Sequence, residues 1–85
     1  MAVPDLETRV ARILTSRLGI PADEITPEAR LIDDLGMDSL DAVELAIAAE
    51  RQFELAISEE QVAQLKTVAD ILALVQRLAD EKGGG

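Results

Sequence analysis

The 85-residue chain contains no cysteine and no histidine, and its only aromatic side chain is Phe53. Without cysteine there is no disulfide framework and no thiolate metal site, which fits a reducing compartment. Without histidine, a nucleophilic serine lacks its usual general base. The scarcity of aromatics leaves a core of Leu, Ile, Val and Ala, a composition that favours helices packed on helices over a β-sandwich. Bases are scarce too: 8 against 17 acids, a formal net charge of −9. Nucleic-acid backbones and anionic membrane surfaces are repelled by such a chain, whereas basic protein surfaces are attracted. No apolar run approaches membrane-spanning length. The segment Met1-Ala2-Val3-Pro4-Asp5-Leu6-Glu7 has neither the basic nor the apolar region of a secretory signal. The expectation is a cytoplasmic monomer with no nucleic acid partner and no membrane insertion.

What the chain does have is enough apolar material, 48%, to build a core. Its length fits one small domain, with a stability of roughly 4–13 kcal/mol. Residues 4–18 form the first expected helix, with Pro4 near its start and Gly19 just past its end. Leu6, Val10, Ile13, Leu14 and Leu18 share one face, while Arg9, Arg12 and Arg17 occupy others. Residues 19–38 are too long for a turn, yet Ile20, Ile25, Leu31, Ile32 and Leu35 recur through them. That pattern predicts a loop pinned across the helices, with at most a short helical turn opening at Thr26-Pro27-Glu28.

A second helix is expected from residue 39 to 52 or 53, with Asp38 as N-cap and Asp41 at the third helical position. Ser58-Glu59-Glu60-Gln61 is a capping-box signal for a short third helix reaching about residue 65, with Val62 and Leu65 inward. Thr67-Val68-Ala69-Asp70 repeats the signal and opens a last helix to about residue 80, its apolar face made by Val68, Ile71, Leu72, Val75 and Leu78. The predicted fold class is all-α: a small antiparallel bundle of three main helices plus one short helix, with a long pinned loop between the first two. Residues 1–82 make one domain in this reading, and Gly83-Gly84-Gly85 make a flexible tail.

The second helix carries two apolar stripes where a surface helix needs one. Ala42, Leu45, Ala46, Ala49 and Phe53 make the first; Leu40, Val43 and Ile47 make another, interleaved with Asp41 and Glu44. Between Asp33 and Glu60 the only base is Arg51, so negative charge gathers on and beside this helix. Asp38 and Asp41 are explained by capping and by the helix dipole. Glu44 and Glu50 are not, nor are the apolar residues beside them. Apolar side chains ringed by acids suit a partner with an apolar groove and a basic rim. At the head of this helix, Ser39 projects from a first turn whose unpaired N–H groups and dipole favour an attached phosphate. Ser39 is therefore predicted to be an attachment point that other enzymes modify and then use.

The run Leu35-Gly36-Met37-Asp38-Ser39-Leu40-Asp41-Ala42-Val43-Glu44-Leu45, followed by Glu50-Arg51-Gln52-Phe53, closely resembles the acyl carrier proteins of dissociated fatty-acid and polyketide synthases. The resemblance extends from Leu6 to about Leu78 and includes the helix order. It implies that Ser39 accepts a 4′-phosphopantetheine arm from coenzyme A, and that the arm's thiol holds acyl groups as thioesters. It implies docking through Asp38, Leu40, Asp41, Val43, Glu44, Ile47 and Glu50. The partners implied are a phosphopantetheinyl transferase and enzymes with basic patches, such as acyl-ACP synthase, ketoacyl synthase or acyltransferase. Two positions depart from the pattern. Met37 stands where many members have a smaller residue and is placed to brush the arm or a partner. Arg51 stands where the family is often acidic, leaving one edge of the docking face less negative. Family members often shelter the acyl chain between helices, but Ala42, Ala46, Ala48 and Ala49 are read first as permitting close helix approach.

Other classes fit less well. A serine enzyme lacks its base, since Lys66 and Lys82 stand in no Ser-x-x-Lys arrangement. The stretch from Asp33 to Glu44 has the length of an EF-hand loop, but Leu35 and Met37 occupy ligand positions and Gly36 is misplaced. No catalytic residue and no metal site is assigned. Within carriers, a peptidyl or aminoacyl carrier is the alternative, and Asp41 and Glu44 favour acyl cargo. An unmodified acidic helical interaction module is the remaining one.

Overall fold

The computed structural model describes residues 6–83. Its elements are α1 (Leu6–Leu18), a 3-10 turn (Ala22–Glu24), α2 (Ser39–Phe53), α3 (Glu59–Ala63) and α4 (Val68–Gly83). Among the described residues there is no strand, only an isolated antiparallel bridge between Arg30 and Thr67. The all-α antiparallel bundle expected from the sequence is the fold observed.

The core follows the predicted stripes. Leu6, Val10, Ile13 and Leu14 of α1 are buried, as are Leu45, Ala46, Ala48 and Ala49 of α2. Val68, Ile71, Leu74 and Val75 complete it from α4. Leu14, Leu45, Val10 and Val75 are the largest side chains sealed from solvent. Phe53 is only partly buried, and the Arg9 guanidinium lies 5.8 Å from its ring centroid. Leu74 and Ala48 join the core although they lie outside the faces assigned from periodicity, while Leu18, Leu72 and Leu78 of those faces are only half-buried. Pro4 lies outside the described residues.

α1 ends where Gly19 turns to φ 70°, and the freed N–H groups of Gly19 and Ile20 donate back to the carbonyls of Thr15 and Leu14 at 3.1 and 3.2 Å. The long connection is pinned as expected, but partly by other means. Ile20, Ala29, Leu31 and Met37 are buried, with Ile25 and Leu35 packed partly against the core. Ile32 does not pin the loop: it is 68% exposed. It shares a tight turn with Leu31, and adjacent side chains in such a turn cannot both point inward. Backbone pairing supplies the rest. Leu31 N–H donates to the Lys66 carbonyl at 2.9 Å, Val68 N–H to Ala29 at 3.1 Å, and Ala69 N–H to Pro27 at 3.0 Å.

That pairing also explains where α3 stops. The helix ends at Ala63 rather than near residue 65, its last turn tightening into i to i−3 bonds from Gln64 and Leu65. The chain must straighten there for Lys66 and Thr67 to reach the pinned loop. α4 opens on the Thr67 signal: Thr67 Oγ1 accepts from Asp70 N–H at 3.2 Å, and Asp70 Oδ2 accepts from the N–H groups of Thr67 and Lys66. It runs past residue 80 and takes in Gly83, where the sequence predicts a tail. Asp80, Glu81 and Lys82 contain no breaker, and a Gln76 to Asp80 side-chain bond of 2.9 Å braces the turn that precedes them.

Candidate functional site

The head of α2 is built by two local devices. Gly36 adopts φ 70°, a left-handed conformation that glycine takes without steric cost. The turn is closed by Gly36 N–H to Ile32 at 3.1 Å and Met37 N–H to Leu31 at 2.9 Å. Met37 is thereby driven inward to 3% exposure, so it packs in the core instead of meeting a partner surface. Asp38 follows as N-cap: Oδ1 accepts from Asp41 N–H at 2.9 Å, and Asp41 Oδ2 accepts from Asp38 N–H at 3.2 Å. This reciprocal capping box fixes the direction in which the next residue leaves the helix.

That next residue is Ser39, exposed at the first helical position. The capping box and the first helical bond use the N–H groups of Asp41 and Ala42. The N–H groups of Ser39 and Leu40 make no bond within the described residues, and they sit at the positive end of the helix. A phosphate ester on Ser39 fits those donors. The carboxylates of Asp38 and Asp41 oppose its charge, so reversible anion binding would be weak here; a covalent bond does not require it to be strong.

Beside Ser39 opens a groove of about 470 Å³ between α2, α3 and the turn before α2. Its apolar walls include Met37, Ala42, Ala46, Ile57, Val62 and Leu65, with Ser39 and Asp38 among the residues that border it. The four α2 alanines therefore divide. Ala48 and Ala49 are buried and belong to the core cluster, as close helix packing requires. Ala42 and Ala46 line the groove and leave it open.

The docking residues assigned from sequence are not equivalent. Leu40, Val43 and Ile47 are 77%, 46% and 46% exposed, so the second stripe faces solvent. Glu44 is exposed. Asp38 and Asp41 are held in the cap. Glu50 is partly buried, and its Oε2 accepts from Ile57 N–H at 2.8 Å across the loop joining α2 to α3. Its neighbour Glu54 takes the left-handed C-cap conformation at φ 54°, letting Leu55 N–H reach the Glu50 carbonyl at 3.0 Å. Glu50 thus closes the far end of the groove as well as contributing charge. Neither its bond to Ile57 nor the part of Ile57 in the groove has a short-range sequence signature. Among the described residues no group of His, Cys, Asp or Glu is placed to hold a metal ion.

The chain is similar to known proteins in sequence and in fold. Residues 8–75 match the phosphopantetheine attachment site family. An acyl carrier protein of Akkermansia muciniphila is 37% identical over 78 residues, covering 92% of this chain and 98% of that one. The chain belongs to the acyl carrier proteins. The crystal structure of an acyl carrier protein from Thermotoga maritima shares the fold, with a TM-score of 0.82 at 24% identity, over 92% of this chain and 91% of that chain. As a member of this family the protein is a carrier and not an enzyme, and its cofactor is phosphopantetheine. Its partners are, in general terms, synthase enzymes and a phosphopantetheinyl transferase. No helix among the described residues is long and apolar enough to cross a membrane.

Proposed function

We propose that this carrier holds acyl groups as thioesters on a 4′-phosphopantetheine arm joined to Ser39 Oγ, and that it works in the cytoplasm. The observation that carries the reading is an exposed hydroxyl at the first position of a capped helix, with unclaimed N–H groups beside it and an apolar groove at its flank. Once bound, the arm supplies the reactive thiol that a chain without cysteine lacks. The protein's own residues supply placement. Asp38 and Asp41 fix the first turn and commit their carboxylates to it, Gly36 directs the chain into it, and removal of the hydroxyl proton is left to the transferase.

Enzymes that load, extend or remove the acyl group meet the exposed face of α2. Leu40, Val43 and Ile47 enter an apolar hollow on such a partner, and Glu44, Asp38, Asp41 and Glu50 face its basic rim. Candidates are the phosphopantetheinyl transferase, a ketoacyl synthase, an acyltransferase or an acyl-ACP synthase. Intact mass after incubation with coenzyme A and a broad-specificity phosphopantetheinyl transferase tests the attachment. The protein gains one arm and Ser39→Ala gains none; an arm on Ser39→Ala, or none on the parent, refutes the assignment.

A further inference from the structure

On the side of α2 away from the groove, the molecule carries a face of the opposite sign. Arg12 and Arg17 of α1 and Arg51 of α2 converge on a second groove of about 390 Å³ between these helices. Its remaining lining is Ile13, Ser16, Ala48 and Gln52; no Asp or Glu contributes. Ile13 and Ala48 are buried and form the floor, while the three arginines are exposed. The Ser16 hydroxyl is turned back onto its own helix, donating to the Arg12 carbonyl at 2.6 Å.

Acids outnumber bases by 17 to 8 in this chain, so three arginines meeting with no carboxylate among them is not the expected outcome. The one ion pair between described side chains is Arg30 with Asp33, at 3.4 Å. None of the three groove arginines forms an ion pair with another described side chain. A place in the last helical turn explains Arg17 and Arg51 individually, because cations offset the negative end of a helix dipole. It does not explain Arg12, nor why all three line one groove.

We propose that this α1–α2 groove is a second docking site, for a protein segment presenting clustered carboxylates. Guanidinium forks pair with carboxylates bidentately, and Gln52 adds an amide beside them. The other anionic occupants match the molecule poorly. An anionic membrane or a nucleic-acid backbone spreads its charge far beyond the groove and would face the acidic remainder of the molecule, whereas a short acidic segment can be confined to the three arginines. No exposed apolar side chain lines the groove itself for insertion into lipid, and the Leu40, Val43 and Ile47 stripe beside it is interleaved with Asp41 and Glu44. A free phosphate would find no enclosed polar group, only exposed side chains. An acidic protein segment needs neither, and the buried floor gives its apolar atoms something to cover. Arg51 lies one helical turn beyond Ile47, so the basic groove adjoins the exposed stripe at its C-terminal end. A partner in contact with both would therefore be fixed in one orientation along α2, basic near Ser39 and acidic near Arg51. The site itself stands on the α1–α2 geometry and does not depend on what Ser39 carries.

The test uses the full chain, labelled with ¹⁵N, titrated with a short oligoglutamate peptide. Ionic strength is held near physiological, where screening over about 8 Å removes the long-range repulsion. Amide shifts are expected at Arg12, Ile13, Ser16, Arg17, Ala48, Arg51 and Gln52, and Ser39→Ala should give the same map. The double variant Arg12→Gln with Arg51→Gln should bind about tenfold more weakly, two lost ion pairs in combination. Arg77→Gln, an exposed arginine outside this groove, should bind as the parent does. A double variant that does not fold is replaced by Arg17→Gln alone, expected to weaken binding several-fold. The proposal is overturned if the peptide shifts no groove amides or if the charge-removing variants bind undiminished. It is equally overturned if inorganic phosphate shifts the same amides as strongly, if vesicles containing phosphatidylserine capture the protein, or if the parent forms a dimer that Arg51→Gln abolishes. Those results would assign the groove to a small anion, a lipid surface or a second copy. Failure here leaves the mass gain at Ser39 untouched, and failure of that mass gain leaves this titration untouched.

Discussion

Replacing Glu50 by alanine should destabilise the protein although Glu50 sits on the helix expected to serve partners. The carboxylate accepts the Ile57 N–H at 2.8 Å in a partly buried setting. A hydrogen bond to a charged group contributes about 1.5–3 kcal/mol, and solvent access to this one lowers that to about 1–2 kcal/mol. The Ile57 N–H is left without its acceptor where water reaches it poorly. In a domain of this size such a loss lowers the melting temperature by roughly 5–10 °C. Glu50→Gln keeps an acceptor and should lose about half as much. Glu44→Lys reverses an exposed charge with no bond to break, and should change stability by less than about 0.5 kcal/mol. Thermal melts by circular dichroism measure these differences, and amide exchange at Ile57 localises them. Exchange should quicken there in Glu50→Ala and not in Glu44→Lys. The partner readout runs the other way: Glu44→Lys should slow association with a basic-patched enzyme, most strongly at low salt. If Glu50→Ala melts with the parent and the Ile57 amide exchanges unchanged, the bond does not hold the loop. The assignment of Glu50 as a structural latch then fails.

Three further outcomes are expected. Gly36→Ala should cost about 1–2 kcal/mol from backbone alone: its φ is 70°, yet an added Cβ would meet nothing within 4 Å; an unchanged denaturation midpoint would contradict this. Leu45→Ala, at 1% exposure, should cost about 2–5 kcal/mol in urea denaturation, because the surrounding helices collapse only partly into the space. Acyl forms with long chains should melt higher than those with short chains, and Ala46→Leu, which fills the groove, should abolish the difference; equal melting of long and short forms would show that the groove does not receive the chain.

Much of the candidate site was legible in the sequence because its construction is local. The Asp38–Asp41 and Ser58–Gln61 capping boxes join residues three apart, and both form as the spacing predicts. The exposed stripe of Leu40, Val43 and Ile47 follows from helical periodicity once Leu45 and Ala49 are assigned inward. The Glu50 bond was not legible, because its partner lies seven residues on, past a left-handed turn that no motif announces. Ile32 was misplaced for a related reason: periodicity marks a residue as apolar but does not say which of two adjacent apolar residues a turn will bury.

The sequence by itself determined the helical class, the order of the helices, the starts of α2, α3 and α4, and the position of Ser39 at the head of α2. These depend on side chains one to four residues apart, interactions that any chain segment forms with itself. The sequence placed the short turn of the long loop at Thr26-Pro27-Glu28, whereas the 3-10 turn forms at Ala22–Glu24. Only the tertiary structure decided the rest. It bonded residues 27–31 to residues 66–69, cut α3 short, opened a groove beside Ser39, and brought Arg12, Arg17 and Arg51 together. Those outcomes depend on the angles and separations at which distant helices pack, which follow from how all the buried side chains fit at once.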